Sequence, residues 1–285
     1  MSDLLKRLIT GVLFVVVLLL AITTNKYTLA GLFYIISMAG LYEFFMLMEK
    51  VGFKPKKSIA MIVGSAIYGI IAMYSFGEFN FAYLLFIFPL LVTLVALELF
   101  RKSENPVTNF AFSVMGILYV VIPLSIVNFF AYDPMYYSEM DINTNNYSSL
   151  LLVGFFVIQW ANDSGAYLIG SMLGKNKLFE RISPNKTWEG FYGGALLAVI
   201  TGIIFGQFDG TIIHWIVVAL IIVIFGTLGD LTESQIKRSC GVKDSGNLLP
   251  GHGGILDRFD GVLFSAPFVL AYLQLVYLEF FNGIN

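Results

Sequence analysis

Charge is what this chain has least of. Only 13% of its 285 residues are charged and 58% are hydrophobic, whereas a water-soluble domain carries about 25% charged residues. An ordinary soluble domain is excluded. Cysteine is nearly missing too: Cys240 stands alone, which rules out an intrachain disulfide and a cysteine-based zinc cluster. The two histidines, His214 and His252, are little material for a hydrolase triad. There is no HExxH and no GxSxG. A phosphate-binding GxxxxGK[ST] loop is also absent, because Gly170-x-x-x-Gly174-Lys175-Asn176 has the wrong spacing and lacks the Ser or Thr. No internal repeat or low-complexity tract is present.

What the chain has in quantity is apolar runs, with a mean hydropathy of +0.80. A membrane-spanning helix needs roughly 20 mostly apolar residues. Runs of that kind lie near 8–24, 28–48, 58–77, 80–100, 107–132, 149–172, 190–207, 211–230 and 261–281. The expected fold is all-α, a polytopic integral membrane protein of about nine transmembrane helices. Lys6 and Arg7 before the first run resemble the head of a signal peptide. No small-residue cleavage site follows, so that run is expected to remain as the first membrane helix.

The basic residues set the expected orientation. With the N-terminus in the cytoplasm, the cytoplasmic segments hold Lys6 and Arg7; Lys50, Lys54, Lys56 and Lys57; Arg101 and Lys102; Lys175, Lys177, Arg181 and Lys186; and Lys237, Arg238, Lys243 and Arg258. These are 16 of the 17 basic residues, and only Lys26 falls outside. The external segments are instead acidic, with Glu78, Asp133, Glu139, Asp141 and Asp209. The positive-inside rule then predicts a cytoplasmic N-terminus and an external C-terminus. Residues 1–150 read as N-terminal membrane helices, about five spans. Residues 151–285 read as a C-terminal membrane region that carries the chemistry, with long cytoplasmic loops at 173–189 and 231–260.

Carboxylates inside spans are expensive and commonly functional. Glu43, Asp163, Asp230 and Glu233 are such acids, each in the cytoplasmic half of its run. Glu43 also fits an acid that snorkels to the interface, and Glu98 beside Arg101 and Lys102 fits a structural role. Asp230, Glu233, Ser234 and Lys237 share one helical face, as do Trp160, Asp163, Tyr167, Gly170 and Gly174. Asp163 is expected to be buried beside those glycines, which allow a close approach by a helix or a ligand.

The segment 243–261, KDSGNLLPGHGGILDRFDG, concentrates glycines, carboxylates, two basic residues and His252. Glycines let backbone amides approach phosphate oxygens. Lys and Arg neutralise phosphate charge, and Asp supplies the hard oxygens that Mg²⁺ prefers. Together they point to a metal-dependent nucleotide or phosphate site. The plainer alternative is a solvated turn in which Asp257 and Asp260 favour the start of the last helix.

Ser234-x-x-Lys237-Arg238, Lys243-Asp244 and Pro250-x-His252-Gly253-Gly254-x-x-Asp257-Arg258-x-Asp260 together resemble the signature of bacterial phosphatidate cytidylyltransferases (CDP-diacylglycerol synthases). Ser183-Pro184-Asn185-Lys186-Thr187-Trp188-Glu189-Gly190 is similar to that family's Ser-Pro-Lys-Lys-Thr-Trp-Glu-Gly loop, with Asn185 where Lys is common. Asn162-Asp163-Ser164-Gly165-Ala166-Tyr167 is similar to another of its helices. The likeness covers roughly 160–261; upstream, only the hydrophobic helices match. It implies transfer of a cytidylyl group from CTP to phosphatidic acid. It also implies Mg²⁺, alone or with a second cation, on Asp230 and Asp257. The implied catalytic set is Asp230, Asp257, Lys237, Arg238, Lys243, Asp244 and Asp260. Asp163, Ser183, Lys186, His252, Gly253, Gly254 and Arg258 are implied in binding. Family members are similar in forming homodimers, the implied location is the bacterial cytoplasmic membrane, and no nucleic acid is involved. Two rivals fit less well. A CDP-alcohol phosphotransferase needs Ala-Arg shortly after Asp260-Gly261, where Val262-Leu263-Phe264 stands. A transporter predicts inverted repeats in both halves, but the polar chemistry sits in one half.

Overall fold

The structure is a computed structural model and describes residues 3–131, 147–246, 248 and 253–282, with side chains from residue 9 to 276 apart from Asp209. The expected external acids Asp133, Glu139 and Asp141, and His252, lie outside the described residues. Among the described residues the chain is all-α apart from one small hairpin. Its helices are α1 (Asp3–Thr24), α2 (Lys26–Lys50), α3 (Lys57–Ser75), α4 (Phe81–Leu84), α5 (Ile87–Glu98), α6 (Pro106–Gly116), α7 (Ile122–Ile126), α8 (Leu150–Leu173), α9 (Trp188–Asp209), α10 (Ile212–Ser239) and α11 (Leu256–Asn282). A π-helical turn, Ile117–Val121, joins α6 to α7. Pro123, two residues beyond it, has no N–H for the ladder, which accounts for the local break in the α pattern.

Every expected apolar run is helical. Seven helices among the described residues are long and apolar enough to cross a membrane: 26–50, 57–75, 81–98, 106–131, 188–208, 212–239 and 256–276. The other two runs form α1, whose apolar part is Ile9–Thr24, and α8, where Gln159, Asn162, Asp163 and Ser164 lower the hydropathy. The long expected loops are shorter than the sequence suggested. Within 173–189, β1 (Lys177–Phe179) pairs antiparallel with β2 (Ser183–Thr187). Within 231–260, α10 continues to Ser239 and α11 starts at Leu256. Lys237 and Arg238 sit in the last turn of α10 and Asp257 in the first turn of α11, the charge signs that the helix dipole favours.

The chain forms two compact units. The first comprises residues 1–129 and 236–259, the second 130–235 and 260–285. The first has its core around Phe33, Phe44, Phe45 and Leu41, and Phe259 packs edge-on against Phe14 and Phe33. In this unit Lys26, the one basic residue expected outside, is paired with Glu78 at 3.3 Å.

The second unit is built on the packing of α8 against α9. A Cβ at Gly165 would come within 2.6 Å of the Gly193 carbonyl oxygen, and one at Gly194 within 2.6 Å of Asn162 Oδ1. The glycines of α8 therefore admit a helix, not a ligand. Gly165→Ala is expected to cost about 1–3 kcal/mol of stability by overpacking this crossing, read as a lower melting temperature in detergent. An unchanged melting temperature would mean that the helices do not approach this closely.

Candidate functional site

In the second unit, the hairpin carries Lys186 to a carboxylate. Lys186 Nζ lies 2.5 Å from Asp230 Oδ2, with the two side chains 26% and 40% exposed. Ser234, one turn further along α10, lies 3.4 Å from Asp230 Oδ1. The hairpin is held at its base. Glu189, in the first turn of α9, accepts from the Lys175 and Asn176 backbone N–H groups and from Asn176 Nδ2. Thr187 caps α9 by accepting from the Gly190 N–H. Ser183 contributes its backbone to the strand pairing with Phe179.

More acids gather in this unit. Asp260 lies within electrostatic range of Asp230, Glu233 and Asp163. Gln159 Nε2 lies 3.3 Å from Asp163 Oδ1, while Gln159 Oε1 is buried with no hydrogen-bond partner among the described residues. Asp163, expected to be buried, is exposed, and the enclosed acid is Glu233. Residue 163 points away from the α8–α9 seam, which Asn162, Gly165 and Ala166 occupy.

In the first unit, Asp257 is the hub. Its Oδ1 holds Lys237 Nζ at 2.5 Å, with both side chains nearly enclosed. Its Oδ2 accepts from the Ser245 N–H at 3.0 Å, the Ser245 hydroxyl at 2.9 Å and the Gly254 N–H at 2.8 Å. Gly253 makes the turn with φ +81°, and a Cβ there would come within 2.8 Å of Asp257 Oδ2. This carboxylate therefore gathers Ser245, Gly253 and Gly254 around itself. Lys243, Asp244, Arg238 and Arg258 are exposed, and Arg238 donates to the Val242 carbonyl at 3.1 Å.

Asp230 and Asp257 thus each hold a lysine ammonium. Hard carboxylate oxygens that already accept a cation have the chemistry a divalent ion requires. Among the described residues no three His, Cys, Asp or Glu side chains stand together as a metal cage. Pairings such as Lys186 with Asp230 were not visible in the sequence, which offered only their charges. Glu43, read there as an acid that could snorkel, is buried.

The profile of the cytidylyltransferase family matches residues 5–276. A phosphatidate cytidylyltransferase of Bacillus subtilis (strain 168) is 34% identical over 282 residues, covering 96% of this chain and 99% of that protein. One from Staphylococcus epidermidis is 41% identical over 169 residues, 58% of this chain and 60% of that protein. One from Staphylococcus aureus (strain COL) is 55% identical over 115 residues, 39% and 44% of the two chains.

Proposed function

The chain belongs to the cytidylyltransferase family, and from that membership we propose that it transfers a cytidylyl group from CTP to phosphatidic acid in phospholipid biosynthesis. The products are CDP-diacylglycerol and pyrophosphate. The observation that carries this reading is the end-to-end match to the Bacillus subtilis phosphatidate cytidylyltransferase. A phosphate oxygen of the lipid attacks the α-phosphorus of CTP, and the bond to the β-phosphate breaks. The attacking phosphate is already an anion at neutral pH, so no general base is required, in keeping with a chain that has two histidines.

The obstacle is bringing one anion up to another, and catalysis is then positioning plus charge neutralisation. Asp230 and Asp257 are the proposed ligands of Mg²⁺, which when bound supplies positive charge to the triphosphate. The lysines found on those carboxylates support an exchange. With a cation on those carboxylates, Lys186 and Lys237 would be free to neutralise phosphate oxygens. Arg238, Lys243 and Arg258 supply further positive charge. The test is pyrophosphate release from CTP by purified protein with and without phosphatidic acid. Release that depends on the lipid supports the reading. No release would contradict it, and transfer from CDP-diacylglycerol to an alcohol would favour the phosphotransferase instead.

We further propose nine spans with a cytoplasmic N-terminus and the reaction on the cytoplasmic side of the bacterial inner membrane, because CTP arrives from the cytoplasm. Cys240 then stays protected from an impermeant maleimide until the membrane is opened. A Ser138→Cys variant made in a Cys240→Ser background reacts from outside. Burial raises the Cys240 thiol above its usual range, opposed by the nearby positive charge of Lys50. A raised pKa means less thiolate at neutral pH, so labelling after opening should speed up as the pH rises. External labelling of Cys240 would reverse the orientation.

A further inference from the structure

Glu43 lies in α2, in a span, and is 3% exposed. A carboxylate able to snorkel would face the interface, but this one faces inward, onto the glycine-rich segment. Its Oε2 accepts the Leu256 N–H at 3.0 Å and lies 3.3 Å from the Ser245 hydroxyl. Leu256 opens α11, so its N–H is one of the amides a helix leaves without an internal acceptor. Glu43 is therefore a cap supplied from another helix, on the dipole end that favours an anion. Ser245 sits between two acids, its hydroxyl 2.9 Å from Asp257 and 3.3 Å from Glu43. The backbone closes over the same carboxylate: a Cβ at either Gly246 or Gly254 would stand 2.5 Å from a Glu43 oxygen. Among the described residues Glu43 Oε1 is buried with no hydrogen-bond partner, so the cap accounts for one oxygen of the pair.

We propose that Glu43 is a positioning residue. By holding Leu256 beside Ser245, Gly246 and Gly254, it fixes Asp257 and the Gly254 N–H in their working arrangement. It touches neither substrate. The kinetic part of this inference rests on the cytidylyl-transfer reading; the structural part does not.

The test compares Glu43→Gln, Glu43→Asp and Glu43→Ala in the full chain. Gln keeps an oxygen for the Leu256 N–H at the same reach, whereas Asp is one methylene short. Asp and Ala should lower kcat roughly 100-fold through misplacement alone, with KM for phosphatidic acid held within about twofold, while Gln stays within about tenfold of wild type. Hydrogen exchange followed by mass spectrometry should show faster exchange across 245–256 in the Asp and Ala variants, with α3 unchanged and slow. Wild-type kcat and unchanged exchange in the Ala variant would overturn the proposal. So would a Gln variant that is folded but as impaired as Ala. If the wild-type protein itself fails to turn over CTP with phosphatidic acid, the transfer reading falls, and the exchange data still decide whether Glu43 holds the segment.

Discussion

Asparagine at position 230 or 257 is expected to stop turnover, with kcat falling roughly 1,000-fold or more, equivalent to about 4 kcal/mol of lost transition-state stabilisation. The side chains are nearly the same size, and what is lost is the charge that binds a cation. The two variants should differ in stability. Asp230 is 40% exposed and paired with a partly exposed Lys186, so Asp230→Asn should cost no more than about 1 kcal/mol. Asp257 is nearly enclosed and accepts two backbone N–H groups, a hydroxyl and Lys237. The amide that replaces this carboxylate can keep its oxygen toward the three donors of the segment, but its NH₂ group then meets the Lys237 ammonium. Asp257→Asn should therefore cost about 1–3 kcal/mol as well as activity. Melting temperature and steady-state kinetics at low and high Mg²⁺ check both. A folded variant with near-normal activity at low Mg²⁺ would remove that residue from the metal set.

Lys186→Ala is the second large effect. As one of many basic residues that only set membrane orientation, Lys186 would be dispensable, and its loss would change neither kcat nor KM. As a phosphate ligand its loss should remove about 2–4 kcal/mol of transition-state stabilisation, a fall of roughly 30- to 1,000-fold in kcat/KM. The structure adds a reason to expect the larger role. Lys186 is held by a hairpin, and that hairpin is tied down by Glu189, which is more scaffolding than a topogenic charge needs. Lys186→Arg should restore only part of the activity, because a planar fork does not replace a point charge. A Lys186→Ala enzyme within about threefold of wild type would place the hairpin outside the chemistry.

The helices were legible because hydrocarbon demands long apolar runs, and each such run is helical here. Their polar ends were less legible. Lys177–Phe179 and Ser183–Thr187 are too short and polar to announce strands; their pairing depends on Glu189 holding the turn at Lys175 and Asn176. The C-terminal end of α10 looked like loop because Thr232–Ser239 is polar, although Asp230, Glu233, Ser234 and Lys237 already showed a helical face. The charged residues of the site were legible as types, since Asp230, Asp257, Lys186 and Lys237 are costly in or near a membrane. Which lysine meets which acid was not, because those pairs are made by tertiary packing. Asp163 shows the limit of the local pattern. It shares a face with Gly170 and Gly174, yet the seam is lined by Asn162, Gly165 and Ala166, and Asp163 is left exposed. Glu43 was visible as an acid in a span, but its cap on α11 joins residues far apart in the chain.

The central claim is that the cytidylyl group moves to the lipid, and the fate of each phosphate tests it most directly. Purified protein would be given phosphatidic acid and CTP labelled at either the α- or the γ-phosphate. The account predicts that α-label appears in the organic phase as CDP-diacylglycerol while γ-label stays in water as pyrophosphate. Label from the γ-position in the lipid, or no α-label there with active, folded protein, would contradict it.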